Sequence, residues 1–134
     1  MKQNPLVWVI DHNEVDLLVA SRMIALCEPS FLCVGFKNAN AALQQLLKLP
    51  TEKTAVPDII LLETSMPLTS GAEFTEACFQ INWVSNTVPK LLVLSSEIPT
   101  PKYKHLLENK KLCGYLEKPI AVNSLCLNLR NLLN

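Results

Sequence analysis

Short apolar runs constrain the fold of this chain more than any other feature of its sequence. They span residues 6–10, 59–62 and 91–94, with a weaker run at 32–34. None of them alternates with polar residues, and continuous apolar runs of this length are typical of strands that are covered on both faces, as in a parallel sheet. We predict a strand at each run and a short fifth strand near Tyr115 and Leu116.

Segments with helical periodicity separate the apolar runs. Asn13 is predicted to cap the first helix, with Asp16 at its third position. The predicted inward stripe of this helix consists of Val15, Leu18, Val19, Met23 and Leu26. The second helix is predicted to follow Asn40 and to stop at Pro50, with an inward face made of Leu43, Leu46 and Leu47.

Three more helices are predicted in the second half of the chain. Ser70 and Glu73 have capping-box spacing, and Thr100 followed by Pro101 is a favourable start for the next helix. The apolar positions expected to point inward are Phe74, Ala77, Cys78, Ile81, Leu106, Leu107, Val122, Leu125, Leu129, Leu132 and Leu133. Strands and helices therefore alternate five times, which predicts an α/β fold with a doubly wound parallel sheet.

Length and charge narrow the class of protein further. The 134 residues suit one domain spanning residues 1–134, and 49% of them are hydrophobic, enough to form a core. Twelve Lys and Arg balance twelve Asp and Glu, so charge gives no reason to expect binding to nucleic acid or to a membrane surface. No apolar run approaches the roughly 20 residues that span a bilayer.

The cysteines suggest where the protein resides. Their number is odd, and no CxxC pair occurs among Cys27, Cys33, Cys78, Cys113 and Cys126. A disulfide framework or a zinc site would favour regular spacing, whereas these residues lie inside apolar segments. We therefore predict buried free thiols and a cytoplasmic location, because thiols stay reduced there.

Polar residues follow four of the five predicted strands. They are Asp11-His12, Glu63, Ser95-Ser96 and Glu117-Lys118-Pro119. The carboxyl ends of parallel strands meet at one edge of the sheet, where ligands of such folds bind. Carboxylates, a hydroxyl group and an ammonium group at this edge indicate a phosphoryl or cation site.

The sequence resembles the receiver domains of two-component response regulators over nearly its whole length. The resemblance rests on VWVIDHNEVD (7–16), PDIILLETSMPLTSG (57–71), LLVLSSE (91–97) and GYLEKPI (114–120). Met66, Pro67 and Gly71 stand at the family's spacing from position 63, which is the phospho-acceptor position. The resemblance implies a flavodoxin-like, CheY-like fold with strand order 2-1-3-4-5.

The family's functional positions can be matched one by one. Ser95 matches the hydroxyl and Lys118 the lysine that bind the phosphoryl oxygens, and Tyr115 matches the switching aromatic residue. The Lys118–Pro119 bond is expected to be cis, as is usual in the family. The resemblance implies a signalling module rather than an enzyme, with a sensor histidine kinase or a downstream signalling protein as partner through the face of helix 4 and strand 5. The last predicted helix runs to Asn134, so output is expected to pass through a partner or through a homodimer.

Two positions depart from the family pattern. Glu63 replaces the acceptor Asp and shifts its carboxylate outward by roughly 1.5 Å, and His12 replaces the second acid after strand 1. Errors of about 1 Å in position can cost about 10²-fold in rate. Glu63 is expected to be the counter-charge of Lys118, with Asp11 on the far side of strand 3.

Several interpretations of these departures stay open. Glu63 either mimics the phosphorylated state, marks a lost switch or accepts phosphate poorly, and the first two predict a phosphorylation-independent interaction module. No cofactor is expected, and Mg²⁺ binding is expected to be weak or lost, resting on Asp11, Glu63 and the carbonyl of Ser65. The alternatives are a transition-metal site at Asp11, His12 and Glu63, or a flavodoxin-like enzyme or ligand-binding domain. The glycine-free acidic loop 11–14 argues against a nucleotide or flavin site.

Overall fold

A single parallel sheet of five strands forms the centre of the computed structural model, which describes residues 4–52, 56–83 and 88–133. The strands are β1 (Leu6–Ile10), β2 (Leu32–Phe36), β3 (Ile59–Glu63), β4 (Lys90–Ser95) and β5 (Gly114–Glu117). Their order in the sheet is β2-β1-β3-β4-β5. The predicted fold class and strand order are confirmed.

Five helices cover the two faces of the sheet. They are α1 (Glu14–Cys27), α2 (Ala39–Glu52), α3 (Gly71–Phe79), α4 (Pro101–Glu108) and α5 (Val122–Leu133). One core lies beneath α2, α3 and α4, and the other lies beneath α1 and α5. All five residues of β3, the middle strand, are buried, as its continuous apolar sequence predicts.

Helix α1 begins as predicted but turns a different face to the core. The side chain of Asn13 accepts hydrogen bonds from the backbone N–H groups of Val15 and Asp16. Of the predicted stripe, only Met23 is partly buried against the core, while the other four residues are exposed. The buried residues are instead Ala20, Ile24 and Cys27, with Leu17 packed against them. Because α1 carries apolar residues on both of these faces, periodicity alone could not choose between them.

Helix α2 begins and ends at different residues from those predicted from the sequence. Asn38, not Asn40, caps the helix, because its side-chain oxygen accepts hydrogen bonds from the backbone N–H groups of Asn40 and Ala41. The helix also continues through Pro50 to Glu52. Two of the predicted inward residues pack in the core, but Leu47 is exposed.

The remaining helices follow the sequence closely. Helix α3 has the predicted capping box between Ser70 and Glu73, and α4 starts at Pro101. Leu125 and Leu129 of α5 are fully buried, but Val122, which was also predicted to point inward, is 37% exposed in the first turn of the helix. Ile81 lies beyond the end of α3 but still packs against the core. No helix within the described ranges is long and apolar enough to cross a membrane.

The prediction that all cysteines are buried free thiols is wrong. Cys27 at the end of α1 and Cys126 in α5 form a disulfide, with their Cα atoms 5.2 Å apart. The two residues are 99 positions apart in sequence, so only the side-by-side packing of α1 and α5 brings them within bonding range. Cys33 and Cys113 are exposed thiols, and only Cys78 is a buried one. The cysteines therefore no longer argue for a reducing compartment.

Candidate functional site

The polar residues that follow the strands meet at the carboxyl edge of the sheet, as predicted. Asp11 directly follows β1, Glu63 ends β3, Ser95 ends β4 and Lys118 directly follows β5. Asp11, Glu63 and Ser95 are buried. Burial of two acids in this small region requires a nearby cation or several hydrogen bonds, since an unpaired buried charge is costly.

The ammonium group of Lys118 binds three carboxylates at once. Its Nζ lies 2.7 Å from Asp11 Oδ2 and 3.0 Å from Asp16 Oδ2, and it also contacts Glu63 Oε2. The three donor hydrogens of an ammonium group match these three acceptors. The side chain of Lys118 is only 13% exposed, so the cluster is a partly buried ionic network.

The protonation state of Lys118 follows from two opposing effects. Burial alone would lower the pKa of Lys118, because it disfavours the charged form. Hydrogen bonds to Asp11, Glu63 and Asp16 favour the charged form and outweigh burial, so the pKa is raised above its usual value. Lys118 is therefore a permanent cation at physiological pH.

The contact with Asp11 corrects one sequence prediction. Glu63 does pair with Lys118, but Asp11 does so as well, although β3 and β4 separate β1 from β5 in the sheet. The long lysine side chain spans that distance. Asp16, in the first turn of α1, was missed as a member of the site, because it was interpreted only as part of the helix start.

The oxygen of Glu63 that does not contact Lys118, Oε1, ends a chain of hydrogen bonds that runs through Thr64 and Ser95. Glu63 Oε1 accepts from the backbone N–H of Thr64 at 3.0 Å and from its hydroxyl at 3.1 Å, with the N–H of Ser65 at 3.4 Å. Thr64 Oγ1 is also 2.8 Å from Ser95 Oγ, which accepts from the N–H of Glu97 at 3.1 Å. With Thr64 donating to Glu63, the Ser95 hydroxyl must donate to Thr64. Both oxygens of Glu63 are therefore engaged.

The hydroxyl group of Ser95 consequently does not line the open cleft at this edge. That cleft has a volume of about 420 Å³. Its walls are formed by His12, Asn13, Asp16, Glu63, Ser65, Ser96, Glu97, Lys118 and Pro119. Thr64, which no sequence motif marks as a site residue, lies between Ser95 and Glu63 and is hydrogen-bonded to both.

His12 lies at the lip of the cleft rather than inside the ionic cluster. Its side chain is 45% exposed, and its Nδ1 is 3.9 Å from Asp11 Oδ1, beyond hydrogen-bond distance. Among the residues that the structure describes, no three His, Cys, Asp or Glu side chains are arranged to hold a metal ion. Asp11, His12 and Glu63 belong to those residues, so the structure gives no support to the alternative transition-metal site.

Two tyrosines connect the site to helix α4. The Tyr115 hydroxyl donates to the carbonyl of Glu97 at 3.2 Å. Its ring packs edge to face on Tyr103, with 5.9 Å between the centroids. Tyr103 is buried; its hydroxyl donates to the carbonyl of Thr64 at 3.1 Å and accepts from the N–H of Ala72 at 2.9 Å. Tyr103 could not be recognised as part of the site from the sequence, because a single aromatic residue in a helix looks like an ordinary core residue.

Gly71 allows the loop after Glu63 to close tightly. A Cβ atom at this position would lie 2.6 Å from the carbonyl oxygen of Glu63 and 3.0 Å from the hydroxyl of Tyr103. The first distance is too short for any side chain, and the contacting atom is a backbone oxygen, which cannot move aside without shifting β3. The glycine of the motif is therefore needed for a close approach of backbone segments.

The Lys118–Pro119 bond is cis, as expected.

Comparison with known proteins supports this fold assignment. No protein-family model matches the chain, and no curated protein is similar enough to count as a relative. Solved structures do match. The signal receiver domain of an HD domain-containing protein from Pseudomonas fluorescens Pf-5 has a TM-score of 0.78 at 19% identity, with 97% of this chain and 94% of that chain covered.

Two further structures give the same result. The response regulator receiver domain protein from Clostridium thermocellum has a TM-score of 0.76 at 15% identity, with 97% and 94% of the two chains covered. The chemotaxis protein CheY4 from Vibrio cholerae has a TM-score of 0.74 at 21% identity, with 96% and 98% covered. The chain therefore has the fold of response regulator receiver domains, of the CheY-like type. At these identities the likeness establishes the fold alone.

Proposed function

We propose that this chain is a receiver domain of phosphorelay signalling that acts as a protein-interaction module and does not depend on phosphorylation. The receiver fold and the placement of Asp11, Glu63 and Lys118 at one edge of the sheet support the signalling class. The replacement of the acceptor Asp by Glu63 supports independence from phosphoryl transfer. On this proposal the chain is not an enzyme.

One observation carries the proposal: Glu63 has no free oxygen. One oxygen contacts the ammonium group of Lys118, and the other accepts hydrogen bonds from Thr64. A nucleophilic carboxylate must approach phosphorus with an uncommitted lone pair in line with the leaving group. Attack by Glu63 is therefore left to the remaining lone pair of Oε2, beside the ammonium group of Lys118, and these contacts hold the carboxylate in place and withdraw its negative charge.

The residues of the site also do not fit the Mg²⁺ ion that receiver domains use. Mg²⁺ requires near-octahedral oxygen ligands at 2.0–2.1 Å. Here Lys118 Nζ lies between Asp11, Asp16 and Glu63, so a divalent ion at these carboxylates would have to displace the ammonium group. As part of the proposal, Mg²⁺ binding is weak or lost, and Lys118 supplies the positive charge of the site.

The partner in this proposal is a sensor histidine kinase or a downstream signalling protein that contacts the face of α4 and β5. Tyr115 of β5 holds the carbonyl of Glu97 in the loop before α4, so it ties the edge of the site to that face. Tyr103 of α4 holds the loop after β3 in the same way. A change at Glu63 would therefore reach α4 through Thr64 and Tyr103. The net charge of zero supports a protein partner rather than nucleic acid.

Incubation with acetyl phosphate and Mg²⁺, followed by intact-mass spectrometry, tests this proposal. We expect the mass of the protein to stay unchanged. The matched control is the double variant Glu63→Asp with His12→Asp, which shortens the acceptor and restores the acidic pair, and which is expected to gain phosphate. Stoichiometric phosphorylation of Glu63 in the unmodified protein would contradict the proposal.

A further inference from the structure

The strand β2 forms one edge of the sheet and leaves a row of apolar residues uncovered. Its sequence is Leu-Cys-Val-Gly-Phe, and its first four residues are exposed. Leu32 is 54% exposed and Val34 is 41% exposed. An exposed apolar edge strand is a template for pairing with another strand.

The hydrogen bonds to β1 show which backbone groups point outward. The N–H of Leu32 donates to the carbonyl of Pro5 at 2.8 Å, and the carbonyl of Phe36 accepts from the N–H of Asp11 at 3.0 Å. In a parallel pair, alternate residues direct both backbone groups to the same neighbour. Leu32, Val34 and Phe36 therefore face β1, and the N–H and C=O groups of Cys33 and Gly35 point away from the sheet.

The opposite edge of the sheet has the protection that β2 lacks. Strand β5 has four residues, ends in Glu117 and is mostly half-buried. Natural proteins protect edge strands with charges, proline, bulges or short length. Between Leu32 and Phe36 there is no charge and no proline, and the register with β1 runs without a bulge.

We propose that β2 pairs with β2 of a second copy of this chain, antiparallel about a twofold axis at Val34. In this register Cys33 lies opposite Gly35 of the partner subunit, and each pair exchanges two N–H···O=C bonds. Leu32 lies opposite Phe36 of the partner subunit on the same face of the sheet. The two five-stranded sheets join into one sheet of ten strands.

The side chains and the outward groups of β2 both suit a second copy: about this axis Val34 meets Val34 of the partner subunit and Leu32 meets Phe36 of the partner subunit, so every cross-strand pair on this face is apolar and no like charges are opposed. Cys33 and Gly35 are placed symmetrically about Val34, so one strand complements itself when it is turned around, as a twofold interface requires. A twofold axis at Cys33 would instead pair Gly35 with Phe31, outside the strand. Only the axis at Val34 satisfies all the outward groups within β2.

Sedimentation velocity across a concentration series tests the dimer. We expect the unmodified protein to dimerise and Val34→Lys to weaken the dimer by at least about tenfold, which is about 1.4 kcal/mol, because two ammonium groups then meet at the axis. The matched control is Leu127→Lys, since Leu127 is 58% exposed on α5 and lies away from β2. A protein that stays monomeric at millimolar concentration, or equal weakening by both variants, would overturn the proposal.

Cross-linking tests the register and does not depend on the stability of the lysine variant. In a background with Cys33→Ser and Cys113→Ser, Val34→Cys should form an intermolecular disulfide on mild oxidation. Residues in a non-hydrogen-bonded antiparallel pair have Cα atoms about 4.5 Å apart, within disulfide range. The matched variant Leu32→Cys should not cross-link, because it lies about 13 Å along the strand from its own copy. Equal cross-linking of both variants, or cross-linking of Leu32→Cys alone, would overturn this register.

Discussion

Two lysines of this protein bind carboxylates in different surroundings. Lys118 contacts three acids at the edge of the sheet and is 13% exposed. Lys111, after α4, pairs with one acid of the described residues, Glu76, with its Nζ 3.1 and 3.3 Å from the two carboxylate oxygens, and its side chain is 34% exposed. Its Nζ also lies 6.0 Å from the centre of the Phe79 ring.

The number of charges in a cluster and their exposure decide what an ion pair contributes to the free energy of unfolding. Exposed pairs contribute about 0–1 kcal/mol, because water solvates both partners after they separate. In a partly buried cluster, water cannot solvate the charges in this way. Loss of the cation at its centre therefore leaves poorly solvated like charges close together, which destabilises the fold. Substitutions at Lys118, Glu63 and Lys111 test this contrast.

Replacement of Lys118 is expected to have the largest effect. Lys118→Met keeps the length of the side chain but leaves Asp11, Asp16 and Glu63 without a cation. We expect the free energy of unfolding to fall by about 3 kcal/mol or more, measured by urea denaturation at neutral pH. A loss no larger than that of an exposed pair would show that the cluster is solvated.

The dependence on pH provides a control for that variant. Because the pKa of Lys118 is raised in the folded state, its contribution is complete below the pKa of the unfolded chain, about 10.4, and is lost as the pH rises through the folded pKa. The stability difference between the unmodified protein and Lys118→Met should therefore stay constant from about pH 8 to 10 and shrink above that. A difference that shrinks already at about pH 8 would contradict this assignment.

Replacement of Glu63 is expected to have an intermediate effect. Glu63→Ala removes one partner of Lys118 and the acceptor of the Thr64 hydrogen bonds, but Asp11 and Asp16 still neutralise the ammonium group. We expect a loss of about 2 kcal/mol. Glu63→Gln keeps a carbonyl acceptor for Thr64, but its amide nitrogen then faces the ammonium group of Lys118, donor against donor, so we expect a loss at least as large as that of Glu63→Ala. A clearly smaller loss for Glu63→Gln would show that the hydrogen bonds of Glu63, and not its charge, provide its contribution.

The sequence predicted β1, β3 and β4 well because these strands are buried on both faces, whereas the two edge strands, β2 and β5, have weaker apolar runs. The predicted bounds of β1 match the structure at both ends, because the strand coincides with the apolar run that ends just before Asp11. Helix α1 shows the opposite case. It carries two apolar stripes, and the choice between them depends on packing against α5, which sequence periodicity does not contain.

The candidate site divides in the same way. The positions of Asp11, Glu63 and Lys118 followed from the ends of the strands, because parallel strands bring those ends to one edge. Asp16 and Thr64 belong to the site because their side chains reach Lys118 and Glu63. Such contacts depend on side-chain rotamers, which the spacing of residues in the sequence does not reveal. The pairing of Cys27 with Cys126 likewise required knowledge of which helices are neighbours.

Replacement of Lys111 is expected to have the smallest effect and completes the comparison. Lys111→Met removes the ion pair with Glu76 but keeps apolar contact with Phe79, so its effect on the free energy of unfolding should stay below about 1 kcal/mol. The small contribution should also disappear in about 1 M salt, since screening acts on exposed charges at this range. Most of the loss in Lys118→Met should persist in the same salt, because Asp11 and Glu63, two of its three carboxylate partners, are buried; only the contact with Asp16, which is 42% exposed, is open to screening. If salt reduced both losses equally, the two lysines would not differ in solvation.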